Sequence, residues 1–159
     1  MPQASRNVSP VNHLLRRRLE LANILYLDFI DAVTDDDLAS RLPGVPSDPV
    51  GHQLWCVLGA RESYQRAARA GEWQGFTSPV ARDGSADAAT VRAALVETAA
   101  DVDEWVAGVD PSDENSLRYV LGLLEHETQH HGQLIRYLYG LGIERPHSWQ
   151  RQYALDEDF

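Results

Sequence analysis

The run ENSLRYVLGLLEHETQHHGQLIRYLYGL, from Glu114 to Leu141, decides how this chain folds. Its apolar residues recur at helical spacing on two faces, one through Leu117, Leu121, Leu124, Ile135 and Leu138, the other through Tyr119, Leu123, Leu134 and Tyr137. A half-buried strand would alternate every second residue, so this period is that of an α-helix. A helix apolar on two faces has neighbours on both, and this one is expected to be the most buried of the fold. Within it His126 and His130 lie four residues apart, one turn above the other, on a stripe that also holds Gln133 and Tyr137.

Three more helical segments precede it. From about Val11 to Val33 the residues Leu15, Leu19, Ala22, Tyr26, Phe29 and Val33 mark one continuous face. Thr34-Asp-Asp-Asp then caps a short turn of helix that Pro43-Gly44-Val45-Pro46 ends. The second long helix is expected to start at Ser47-Asp48-Pro49, with Asp48 placed to cap free amides and Pro49 at the first helical position, and to run to about Ala70-Gly71. Its core stripe is Val50, Leu54, Val57, Tyr64 and Ala68, while a neighbouring face carries His52, Cys56, Gly59 and Ser63, an odd set for a purely structural seam. Glu72 to Ala86 has no periodicity and contains Gly75, Pro79 and Gly84, which makes it a long loop. A third helix, about Ala88 to Val109, repeats the pattern through Val91, Leu95, Thr98, Val102, Trp105 and Val109, and Asp110-Pro111-Ser112-Asp113 breaks and recaps the chain.

With no strand, hairpin or internal repeat in sight, the expected fold is all-α, a four-helix bundle with a long loop between its second and third helices. It forms a single domain over residues 1–159, with a bundle core at about 11–142. The polar tail 143–159, with Pro146, Trp149 and Tyr153, is expected to lie across the bundle surface. A domain of this length buries roughly 68–70% of its unfolded surface, enough for a core without staples.

Composition removes several function classes. The hydrophobic fraction of 43% and charged fraction of 24% are those of an ordinary globular chain. A formal charge of −10 opposes binding to phosphate backbones, so nucleic acid is not an expected partner. The one basic cluster, Arg16-Arg17-Arg18, falls inside an amphipathic helix, where it most simply forms the solvated side. No run of about 18 apolar residues offers a membrane span, and the polar start Met1-Pro-Gln-Ala-Ser-Arg-Asn has no leader character, so a cytoplasmic location is expected. Cys56 is the single cysteine and has no intrachain disulfide partner.

Two imidazoles at positions i and i+4 on a packed helix face suit a shared divalent ion, which keeps both rings neutral as donors. Two ligands do not make a tight site, and the second helix is the expected source of the rest, through His52, Cys56 or both. All four residues bound would give a closed structural zinc site; three would leave a position for water or substrate. His131 points elsewhere on the helix and is expected to be a supporting or surface residue, as is Glu127, turned about 100° from His126. The stretch His126-Glu-Thr-Gln-His130 also matches the H-E-x-x-H pattern of zinc proteases. The longer protease pattern fails, however, because Gln133 stands in place of its glycine and Arg136 in place of its third histidine.

His126-Glu-Thr-Gln-His130-His131-Gly132-Gln133-Leu134 resembles the H-x-x-x-H-[RH]-G-Q-hydrophobic motif on the last helix of the DinB-like, or YfiT-like, family of metal-binding four-helix bundles. The stretch from Gly51-His52 through Trp55-Cys56 and Ala60-Arg61-Glu62 to Tyr64 resembles that family's second helix, and Gly71-Glu-Trp73-Gln-Gly75-Phe76 resembles the segment after it. The resemblance covers nearly the whole chain and implies a three-ligand site for a divalent metal. By spacing to Ala60-Arg61-Glu62 the family's second-helix histidine falls on Cys56, whereas the histidine present in this helix is His52, one turn earlier. A thiolate ligand would favour zinc, with nickel, iron or manganese as the other candidates. The resemblance further implies a small-molecule substrate, transfer to or from a low-molecular-weight thiol cosubstrate or related hydrolytic chemistry, and a homodimer. Gln133 and Tyr137 are expected to line the pocket. Trp73 and Phe76 either cover its mouth or pin the long loop to the core.

Overall fold

A computed structural model describes residues 9–157, and every regular element among them is helical. Four long helices, α1 (Pro10–Ala32), α3 (Val50–Ala70), α4 (Ala88–Gly108) and α5 (Glu114–Gly140), are joined by a short α2 (Asp35–Ala39), a single 3-10 turn (Asp83–Ala86) and a final α6 (His147–Tyr153). The expected boundaries hold to within two residues, because the caps that set them are local. Ser9 accepts from the Asn12 amide, Thr34 and Asp37 form a reciprocal capping box, Asp87 accepts from Thr90 and Asp113 from Ser116. The start of α3 differs: Pro49 is the capping residue, with no side chain bonded to the first turn. Asp48 instead faces His52, Arg41 and Arg82 at 3.6–3.9 Å.

The principal packings run α1 with α4, α4 with α3, α3 with α5 and α5 with α1, closing a ring of four. Pairings fix the directions. Asn12 Nδ2 donates to the Val109 carbonyl at 2.7 Å, and Arg16 and Arg92 bridge to Asp103 and Asp31, so α1 and α4 are antiparallel. Gln53 with His130, and the Tyr137 hydroxyl with the Asp48 carbonyl, set α3 antiparallel to α5 in the same way. Ser85, just before α4, lies against Gly51 at the start of α3, and Arg61 further along α3 bonds Leu95 and Thr98 further along α4, so these two helices run parallel. The loop between them must return the chain along the full length of a 21-residue helix, about 32 Å. It does so along α3. Trp73 meets Tyr64, Phe76 meets Gly59, Thr77 bonds Ser63, the Trp55 indole donates to the Val80 carbonyl, and the Ser85 carbonyl closes on Gly51. The small face of the second helix is the seat of this loop.

Two apolar clusters fill the bundle. One includes Leu25, Phe29, Leu54, Leu58, Leu95, Leu134 and Leu138, the other Leu15, Leu19, Val102, Val106, Val120 and Leu123. The most buried helix is α3, with twelve buried residues against eight in α5, which corrects the expectation for the last helix. Leu121 stays exposed because the ring gives α5 only two long neighbours, and their faces adjoin. The tail is likewise more than a surface strap: it folds into α6 and drives Trp149 fully into the core, with its Nε1 donating to the Leu25 carbonyl at 2.7 Å.

Candidate metal centre

The antiparallel crossing of α3 and α5 brings Cys56 against the histidine pair. Cys56 Sγ lies 3.6 Å from His126 Nε2, the two imidazole centroids are 4.5 Å apart, and one donor atom from each of Cys56, His126 and His130 lies within 4.8 Å of the others. An ion bonded at about 2.3 Å to sulfur and about 2.0–2.1 Å to nitrogen spans a tetrahedral S···N edge of roughly 3.6 Å. The chemistry fits as well as the spacing. Burial holds His126 below its ordinary pKa and, together with the nearby His126, lowers that of His130 to about 4, so both rings are neutral donors near pH 7. Burial also raises the Cys56 thiol, so it needs a nearby cation to ionise at neutral pH. His126 presents Nε2 to Cys56, and its Nδ1 is buried with no hydrogen-bond partner among the described residues.

Sequence reasoning passed over Gln53. Its Oε1 sits 2.9 Å from His130 Nδ1, which fixes the ring orientation and leaves Nε2 as the free nitrogen, the usual office of a partner behind a ligating histidine. The signal was present, since Gln53 lies one turn before Cys56 on the side facing α5. His52 is not brought to the group. In the first turn of α3, its ring has Asp48 Oδ1 at 3.6 Å and the Arg82 guanidinium at 3.3 Å from its Nδ1.

His131 is neither a ligand nor a surface residue. It is buried against Tyr26 and Trp149, its Nδ1 is 2.7 Å from the Tyr153 hydroxyl, and burial lowers its pKa to about 4. Tyr137 ties α5 to the start of α3 through the Asp48 carbonyl at 2.5 Å. Gln133, on the same stripe, has its Oε1 buried without a partner.

Glu127 is the larger surprise. It is 1% exposed and bonded by Arg61, equally buried, through Nε at 2.6 Å and Nη2 at 3.2 Å. Arg61 also donates to Asn23, Thr98 and the Leu95 carbonyl, and the Tyr26 hydroxyl donates to the Glu127 carbonyl. Each long helix thus contributes one polar side chain, Asn23, Arg61, Thr98 and Glu127, to a layer separating the two apolar clusters. A carboxylate engaged in this way does not serve as the general base that the protease reading needs. From the α1–α4 side a cavity of about 390 Å³ reaches the same Arg61–Glu127 pair. The metal group lies on the opposite seam.

No helix among the described residues is long and apolar enough to cross a membrane. No family model matches the chain, and no curated protein matches it.

Proposed function

We propose that this chain is a divalent-metal-dependent enzyme of the DinB-like kind it resembles, acting in thiol transfer on a small molecule. One observation carries the reading: a three-donor group of one thiol and two neutral imidazoles on the α3–α5 seam, with Cys56 and His126 only half-buried. Three protein donors with solvent access are the arrangement of catalytic sites, whereas closed structural sites use four. His52, the remaining candidate for a fourth, is engaged with Asp48 and Arg82. Bound there, a divalent cation supplies a Lewis acid that makes a thiol or water the stronger nucleophile at neutral pH. The residues around it orient and insulate. Gln53 holds the His130 ring, burial keeps both imidazoles neutral, and the Arg61–Glu127 pair locks α3 to α5 near the level of the ligands.

The test is elemental analysis of purified protein together with absorption spectra of its cobalt form. The expected result is one divalent ion per chain and an intense near-ultraviolet thiolate band; a cobalt form lacking that band removes Cys56 from the site. His126→Ala should lose the metal and any thiol-transfer activity while keeping its helical circular dichroism. Unfolding of that variant would instead support a structural zinc site.

A further inference from the structure

We infer that the metal centre selects substrates carrying a planar aromatic ring, and that Trp73 is the residue that recognises it; this rests on the metal-dependent reading above. Tyr64 starts the argument. It lies two turns beyond Cys56 on α3 and crosses to α5 over Gly122, where an added Cβ would come within 3.1 Å of its ring. Seated there, its ring is 6.0 Å from that of His126 and 5.9 Å from that of Trp73, which stands nearly perpendicular to it. Indole, phenol and imidazole therefore form a continuous row that ends at a donor of the metal group.

Trp73 touches Tyr64 yet remains 51% exposed, so half of its surface is not spent on seating the loop. The loop is held on that side by polar contacts: Arg66 donates to the Gly75 carbonyl at 2.6 Å and to Thr77 Oγ1 at 2.7 Å, and Ser63 Oγ accepts from the Thr77 amide. Structural tryptophans in this protein look different. Trp149 is fully buried and bonded to the Leu25 carbonyl, and Trp55 donates to the Val80 carbonyl. An indole that stands perpendicular to a phenol and is half exposed keeps surface for another ring, and offset or edge-to-face stacking is the geometry aromatic pairs prefer. A substrate whose sulfur reaches the metal group would lay an aromatic ring along this row.

Two alkyl thiols of equal reach and acidity that differ in aromaticity but hardly in size, 4-phenylbutanethiol and 4-cyclohexylbutanethiol, test this when titrated into the cobalt-loaded protein and followed by the visible spectrum and by tryptophan fluorescence. The phenyl compound should bind about threefold to tenfold more tightly. Trp73→Leu should erase the difference without weakening the cyclohexyl compound, and Trp73→Phe should keep most of it. Equal affinity of the two thiols for cobalt-loaded wild-type protein overturns the aromatic inference alone. A protein that takes up no cobalt overturns the metal reading and this inference with it.

Discussion

Arg61 and Glu127 show what a single charged pair can decide. Moving either charge out of water is costly, and their mutual attraction compensates only because the remaining guanidinium donors find Asn23, Thr98 and the Leu95 carbonyl. Removing one partner leaves the other buried and alone, so Glu127→Ala should lower stability by about 3–5 kcal/mol in urea unfolding. The double change Arg61→Met with Glu127→Leu should lose far less than the two single changes together, since no orphan charge remains. Stability changes that simply add would show that the pair is not coupled. The pair was hidden for a physical reason. Periodicity registers apolar residues, so the stripe Val57, Tyr64 passes silently over Arg61, and Leu123, His130, Leu134 passes over Glu127. A charge at the missing step of an apolar stripe, on each of two helices, was the available signal. The metal donors were legible because imidazoles at i and i+4 are rare on a packed face, but choosing between His52 and Cys56 depended on α3's rotation against α5. Gln53 offers a finer test at this scale. Gln53→Ala should weaken metal binding about 10- to 100-fold, measured against a competing chelator, while leaving the metal-free melting temperature nearly unchanged.

At the level of elements the return loop explains the small residues of α3, and two glycines separate what can yield from what cannot. A Cβ on Gly59 would meet the Phe76 ring tip at 2.1 Å, and that ring can swing outward. A Cβ on Gly51 would meet the Ser85 backbone carbonyl at 2.2 Å, which moves only if the 3-10 turn moves. Gly51→Ala should therefore cost about 1–3 kcal/mol, the range for overpacking a filled site. Gly59→Ala should cost less, yet it should raise amide exchange across residues 72–80, where the loop loses its Phe76 hold. Equal costs would mean that the loop does not seat as described. The face itself was visible as an oddity in the sequence; its purpose was not, because aperiodic loop residues carry no signal of the surface on which they lie. The tail was underread for a related cause: one buried tryptophan in a seven-residue helix is too short a pattern for periodicity to register.

Across the whole molecule, the four long helices and their main core faces were legible, but direction was not. An apolar stripe tells which side of a helix is buried and nothing about which neighbour covers it, so the parallel α3–α4 pair emerges only from the contacts. That layout bears on how metal and fold are coupled. Both apolar clusters close without the metal group, which sits on one seam at the edge of the core. The cation should then act as a ligand of an already folded bundle, stabilising it by mass action. Above the dissociation constant, each tenfold increase in free zinc should add about 1.4 kcal/mol. For a domain of this size that raises the melting temperature by roughly 3–6 °C per decade. Chelation should reverse the gain while far-ultraviolet circular dichroism at 25 °C keeps its helical amplitude, and Cys56→Ala and His126→Ala should each flatten the dependence on zinc. A chelated protein that loses its helices at 25 °C would mean that the two clusters cannot hold the bundle unaided, and the α3–α5 seam would then have to be read as a fold-determining staple in place of a reaction centre.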